Sequence, residues 1–121
     1  MANDFKRYTK ASVGTSTGAS ANALYTVPST GGTAMESIVI GISLSNKSNA
    51  GITASVFLDN YLGSGDVYIV KGASVPAGST LEVMAGNKLV VQGNGTANDV
   101  VRVEAGTAAA LDATISVLED V

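Results

Sequence analysis

The chain of 121 residues contains no cysteine, no histidine and no tryptophan, and only two prolines. Without cysteine there is no disulfide framework, and without either residue there is no thiolate or imidazole metal site. Ser-His-Asp and Cys-His catalysis are excluded on the same ground, as is a histidine pH switch. Charged residues make up 14% of the chain, well below the roughly 25% of an average globular protein. Much of the surface must therefore be Ser, Thr, Asn, Gly and Ala, which is inexpensive to bury against a neighbour because few charges are desolvated. The formal net charge of −3 and a pI near 4.6 argue against nucleic acid as a partner, since that affinity comes from Lys and Arg neutralising phosphates. No apolar run approaches the ~20 residues needed to cross a bilayer as a helix. The stretch MANDFKRYTK has no apolar core of a secretory signal, so the expectation is synthesis in a cytoplasm and no membrane partner.

What is present is hydrophobic periodicity of two. In ESIVIGISLSN the residues Ile38, Ile40, Ile42 and Leu44 alternate with Ser37, Val39, Gly41 and Ser43, which predicts a strand with the first set facing a core. ITASVFLDN repeats the pattern, with Ile52, Ala54, Val56 and Leu58 inward and Phe57 outward. The polar turn NKSNAG between them predicts an antiparallel hairpin. Further strands are expected over 5–10, 22–27, 66–71, 80–84, 88–92, 98–105 and 112–119, each bounded by Gly, Pro, Asn or Ser. Short strands at this spacing predict a single all-β domain over 1–121, an antiparallel β-sandwich that is jelly-roll-like with about eight strands. The stretch ASVGTSTGASANA at 11–23 has one large apolar residue, Val13. It reads as a long surface loop or as a segment ordered only by a partner, so 1–23 is a candidate docking arm. GTAAALDA at 106–113 favours helix by composition but is too short for more than one turn.

Few motifs point to chemistry. VVQGNGTANDVVRVEAG at 90–106 contains Gly93 and Gly95 in the manner of a phosphate-binding loop. A dinucleotide fingerprint needs a third glycine and a following helix whose free amides hold the pyrophosphate. Here Asn98 and a β-branched run follow instead, and the Gly-Lys-Ser/Thr of a Walker loop is missing, so the segment is expected to be a hairpin loop between two strands, its Gly and Asn supplying positive φ. Asp59, Asn60 and Asp66 offer oxygens to calcium but lack EF-hand spacing, and the scattered acids imply no glycosidase pair. The sequence thus assigns no catalytic, cofactor or metal residue. Asn46 and Asn94 lie in glycosylation sequons and read as turn residues. Lys6, Arg7 and Lys10 place three of the seven basic residues beside Phe5 and Tyr8, which reads as an edge strand or docking arm. The acidic end, Glu119 and Asp120, is complementary to it, as in contact between adjacent subunits. Tyr61 in NYLGSG is the one aromatic expected on a loop, where a sugar platform would stand. These eight residues are the candidate partner contacts.

The order ANDFKRYTKASVGTS, LYTVPS, SIVIGISLSNKS, VYIVKGASVPAGSTLEVMAGNKLVVQGNG and DATISVLED resembles a family of small virion structural proteins from tailed phages of marine cyanobacteria and related bacteria. Its most specific part is YIVKGASVPAGSTLEVMAGNKLVVQ: three strands around turns at Pro76–Gly78 and Gly86. The segments at 11–23 and PSTGGTAMES are longer and richer in Gly and Ser than a minimal member needs. The resemblance implies a non-enzymatic β-sandwich that is part of a virion and contacts other virion proteins. It further implies a homo-oligomer, with decoration of the capsid as the first placement and a neck, tail or fibre-attachment component as the second. From another class, a carbohydrate-binding or host-recognition module is the alternative.

Overall fold

The β-branched residues and the turn-forming Gly, Asn and Ser between them give nine antiparallel strands in a computed structural model that describes residues 3–18, 21–28, 35–60, 66–84 and 88–120. They are β1 (Asn3–Lys10), β2 (Asn22–Thr26), β3 (Met35–Asn46), β4 (Ile52–Asp59), β5 (Asp66–Val75), β6 (Thr80–Glu82), β7 (Leu89–Gly93), β8 (Val100–Ala105) and β9 (Leu111–Asp120). One sheet runs β1-β9-β3 and then to β6 and β7, which both pair with β3; the other runs β2-β8-β4-β5. The chain crosses between the sheets at every connection except β4–β5 and β6–β7, which is the strand order of a jelly roll. The count among the described residues is nine because the strand that would be sixth of eight is divided into β6 and β7 along β3.

The core lies between the sheets. Val101, Val103, Leu111, Ile115 and Val117 are fully or almost fully buried and alternate with half-buried or exposed neighbours, as pleated strands with one dry face require. Each such aliphatic side chain contributes roughly 1.5–3 kcal/mol on leaving water.

Two expectations need correction, and a third holds with an addition. First, β3 does not keep one alternation. Its register against β9 slips between Val39 and Gly41, so Ile40 is a surplus residue and the faces exchange there. Ser37 and Val39 point inward at 2% and 0% exposure, Ile42 and Leu44 also point inward, and Ile38 and Ile40 turn outward. Second, NKSNAG does not close a hairpin between paired neighbours, because β3 and β4 belong to different sheets. Buried Asn46 makes the corner: its amide donates to the carbonyls of Ala50 and Val75 at 2.8 and 2.9 Å, and its Oδ1 accepts from the Ser48 amide and hydroxyl. Third, Phe57 does face away from the core as its parity demands, yet it is fully buried. Its ring meets that of Tyr68 at 5.0 Å, and Arg102 lies opposite it in the β4–β8 ladder.

The 11–18 segment carries the chain from one sheet to the other and is held by this chain itself. Val13 is buried in the core and its amide donates to the Leu111 carbonyl at 2.8 Å. The Gly14 carbonyl accepts from Ala105 and from the Asn22 side chain, and the Gly18 amide donates to Glu104. Residues 106–109 form turns rather than helix.

Candidate interaction surface

β1 pairs with β9 through eight consecutive residues without a register slip, from Asn3 opposite Asp120 to Lys10 opposite Ala113. It is the last strand of its sheet, with no strand on its far side among the described residues. Alternation sends Phe5, Arg7 and Thr9 to the outer face and Asp4, Lys6, Tyr8 and Lys10 toward the second sheet. Of the expected contact residues, Phe5, Lys6, Arg7, Tyr8 and Lys10 therefore lie together on one exposed edge strand. Tyr61 falls outside the described residues. Asp120 ends β9 opposite Asn3 and Glu36.

Glu119 has a different position from the one its place at an acidic end suggested. It is 4% exposed, and its Oε2 accepts hydrogen bonds from the Tyr25 hydroxyl at 2.7 Å and the Tyr8 hydroxyl at 3.0 Å. The Tyr25 hydroxyl also lies 2.8 Å from the Ser37 hydroxyl, and the two tyrosine rings pack at 5.0 Å. Burial pushes the Tyr25 phenol well above its ordinary range; the bond to Ser37 works against this and the carboxylate of Glu119 adds to it. Tyr8 is raised by the same two influences, burial first. The carboxylate is thus engaged inside one subunit, and the N-terminal and C-terminal strands meet as a backbone ladder within the chain.

The outer face of the same sheet carries a feature that parity alone concealed. The registers place Phe5 opposite Leu118, Leu118 opposite Ile38, and Ile38 opposite Val90. Four apolar side chains thus form a row across β1, β9, β3 and β7, with Ile40 beside it. Phe5 is 78% exposed, Val90 58% and Ile40 39%. Isolated apolar residues on a surface are ordinary, whereas a contiguous exposed apolar patch is the kind of surface that interaction sites use. Polar residues flank it: Glu36 and Gln92 on one side, Arg7 and Ser116 on the other. The signal available in the sequence was the doubled Val90-Val91, one of which must face outward from any strand. The outward turn of Ile38 and Ile40 required the bulge.

The remaining candidates are accounted for locally. Asp59 accepts from Arg102 at 2.9 Å, so a cation already occupies its charge. No group of three acidic, His or Cys residues suited to a metal occurs among the described residues. The glycine loop is not the expected hairpin, because β7 and β8 belong to different sheets; it is closed by a bridge between Gly93 and Asn98 and by the Asp99 amide donating to the Gln92 carbonyl. Strand follows from Val100, with no helix to offer free amides. Gly95 supplies the positive φ of 89°, and a Cβ at Gly93 would collide with Asn98 Oδ1 unless that side chain moved. Asn94 Oδ1 accepts from the amides of Thr96 and Ala97, a turn role, and Asn46 is buried. An open depression of about 490 Å³ is walled by Ile52, Thr53, Ser74, Val75, Pro76 and Thr107 and holds no charged side chain. No family model matches the chain, and no curated protein is significantly similar to it.

Proposed function

We propose that this protein is a non-enzymatic subunit of a phage particle, a capsid decoration protein that adds contact area across the shell. The observation that carries the reading is the apolar row of Phe5, Leu118, Ile38 and Val90, exposed at its two ends and half-buried between them, on the outer face of a jelly roll. A sparsely charged surface supports it, because such a face loses little solvation on docking. The jelly roll is also an architecture that viral capsid subunits use, an argument by analogy of fold alone. Many such weak contacts repeated over a lattice add up to a shell that resists internal pressure. The motif order given above supports a virion setting in the same way.

The test is to separate heads from tails of the particle that carries this protein and to quantify the chain in each. Decoration requires the chain on heads in proportion to the shell lattice, and substitution of Val90 by Lys should remove it. Presence on tails alone, in the number of a single ring, would assign it to the neck or tail. Absence from particles would overturn the virion reading altogether.

A further inference from the structure

Among the described residues no strand pairs with the outer edge of β1 along its eight residues, and it is their most regular long edge. The other long edge strand, β5, slips register twice against β4 and contains Gly72 at a φ of 65°, and such bulges twist an edge away from further pairing. β6 and β7 are three and five residues long. An uninterrupted edge is a template for a further strand, and the sequence of β1 specifies which strand.

We propose that β1 pairs antiparallel with β1 of a second copy of this chain about a two-fold axis at Phe5, so that the two five-stranded sheets become one continuous sheet. A two-fold perpendicular to a sheet keeps each face on its own side, so a residue of one copy can only oppose a residue of equal parity in the other. Four such registers overlap by five residues or more within Asn3–Lys10. Three of them set like charges against each other: Lys6 against Lys6, Arg7 against Arg7, or Lys6 against Lys10, each of which is destabilising. The fourth sets Phe5 against Phe5 and Asp4 against Lys6 on both sides of the axis, with Asn3 opposite Arg7. The basic residues that blunt this edge toward arbitrary strands thus select a single register. Phe5, the most exposed large apolar residue among those described, becomes the centre of the contact. The apolar row then continues through the axis and doubles in length on the outer face, where the proposed shell contact lies.

The inference deepens the proposed assembly role and rests on it for its use, but its test needs only the purified chain. The chain lacks cysteine, so a single introduced thiol reports the register. In this arrangement Phe5→Cys places two Cα atoms within the 4.4–6.8 Å that a disulfide spans. Arg7→Cys, on the same face, leaves its two thiol-bearing residues about 13 Å apart along the strands. Under mild oxidation Phe5→Cys should accumulate as a covalent dimer and Arg7→Cys should remain monomeric. In sedimentation equilibrium Asp4→Lys should weaken self-association roughly tenfold, since two favourable cross-strand pairs become repulsive. Asp4→Lys with Lys6→Asp should restore it. Equal crosslinking of the two cysteine variants, no crosslinking of either, or failure of the charge exchange to restore association would overturn the proposal. A dimer of the right register that does not bind particles would leave it standing and remove the decoration reading instead.

Discussion

Replacing Tyr25 by Phe removes one oxygen from the interior and leaves the ring, so it creates no cavity and isolates the hydrogen bonds. The hydroxyl lies 2.7 Å from the Glu119 carboxylate, which is 4% exposed, and 2.8 Å from Ser37, which is 2% exposed. A hydrogen bond to a charged group is worth about 1.5–3 kcal/mol, and water cannot replace a donor at a buried carboxylate. Ser37 also loses its partner, so the expected cost is about 2–3 kcal/mol. For 121 residues the unfolding entropy near 2.1 cal/mol/K per residue converts this to a Tm lowered by about 8–12 °C. Tyr8→Phe removes the second donor from the same oxygen, but Tyr8 is 37% exposed and solvent can take its place, so its cost should stay below about 1 kcal/mol. Urea denaturation of both variants at neutral pH measures the difference. A cycle with Glu119→Gln should give a coupling of about 1 kcal/mol or more for Tyr25. If Tyr25→Phe costs no more than Tyr8→Phe, the carboxylate is not held in a dry network and the reasoning fails.

The two raised phenols predict an alkaline weakness. Their stabilisation is complete below the ordinary tyrosine value of 10.0 and is lost as pH rises beyond it, so stability should fall above pH 10 and fall less in Tyr25→Phe. At the acid end, the Ser12 amide and then Lys47 hold the Asp112 carboxyl below its ordinary 3.8. That contribution is present above this value and is lost as pH falls through the lowered one, so Asp112→Asn should flatten the acid limb of the stability curve. Phe57→Ala should cost about 3–5 kcal/mol by thermal or urea unfolding, as a full core truncation does, although the residue lies outside the inter-sheet core. Gly93→Ala should cost about 1–3 kcal/mol by driving Asn98 from its place. Adding Asn98→Ala should recover most of that loss, because Asn98 Oδ1 has no hydrogen-bond partner to forfeit.

Strand positions were legible in the sequence because they depend on local alternation and on Gly, Pro, Asn and Ser at their ends. Which strands pair was not, because NKSNAG and GNGTA look like hairpin turns whether the next strand joins the same sheet or crosses to the other. What separates the cases is the side chain of Asn46, which reaches Val75 across the corner, a contact between residues far apart in sequence. The misassigned face of β3 has a similar origin. Ile38, Ile40, Ile42 and Leu44 form an unbroken alternation, and only tertiary pairing with Val117 and Ser116 shows that Ile40 is surplus. The candidate contact surface was half visible: the basic and aromatic β1 stood out, whereas the apolar row assembles from four strands. Glu119 beside Asp120 has the composition of a solvated end. Only the arrival of Tyr25 from the other sheet makes it interior.

The antiparallel pairing of β1 with β9 also fixes how the molecule answers to pulling. Asn3 and Asp120 face each other at the same end of the ladder, so tension between them acts across the strands and loads the first rungs alone. The ladder would then open like a zipper, rung after rung, at low force. Tension delivered along the direction of the strands would instead shear all eight residue pairs together. Handles attached at Asn3 and Asp120 should therefore find the molecule soft, and handles attached at Lys10 and Asp120 should find it stiff.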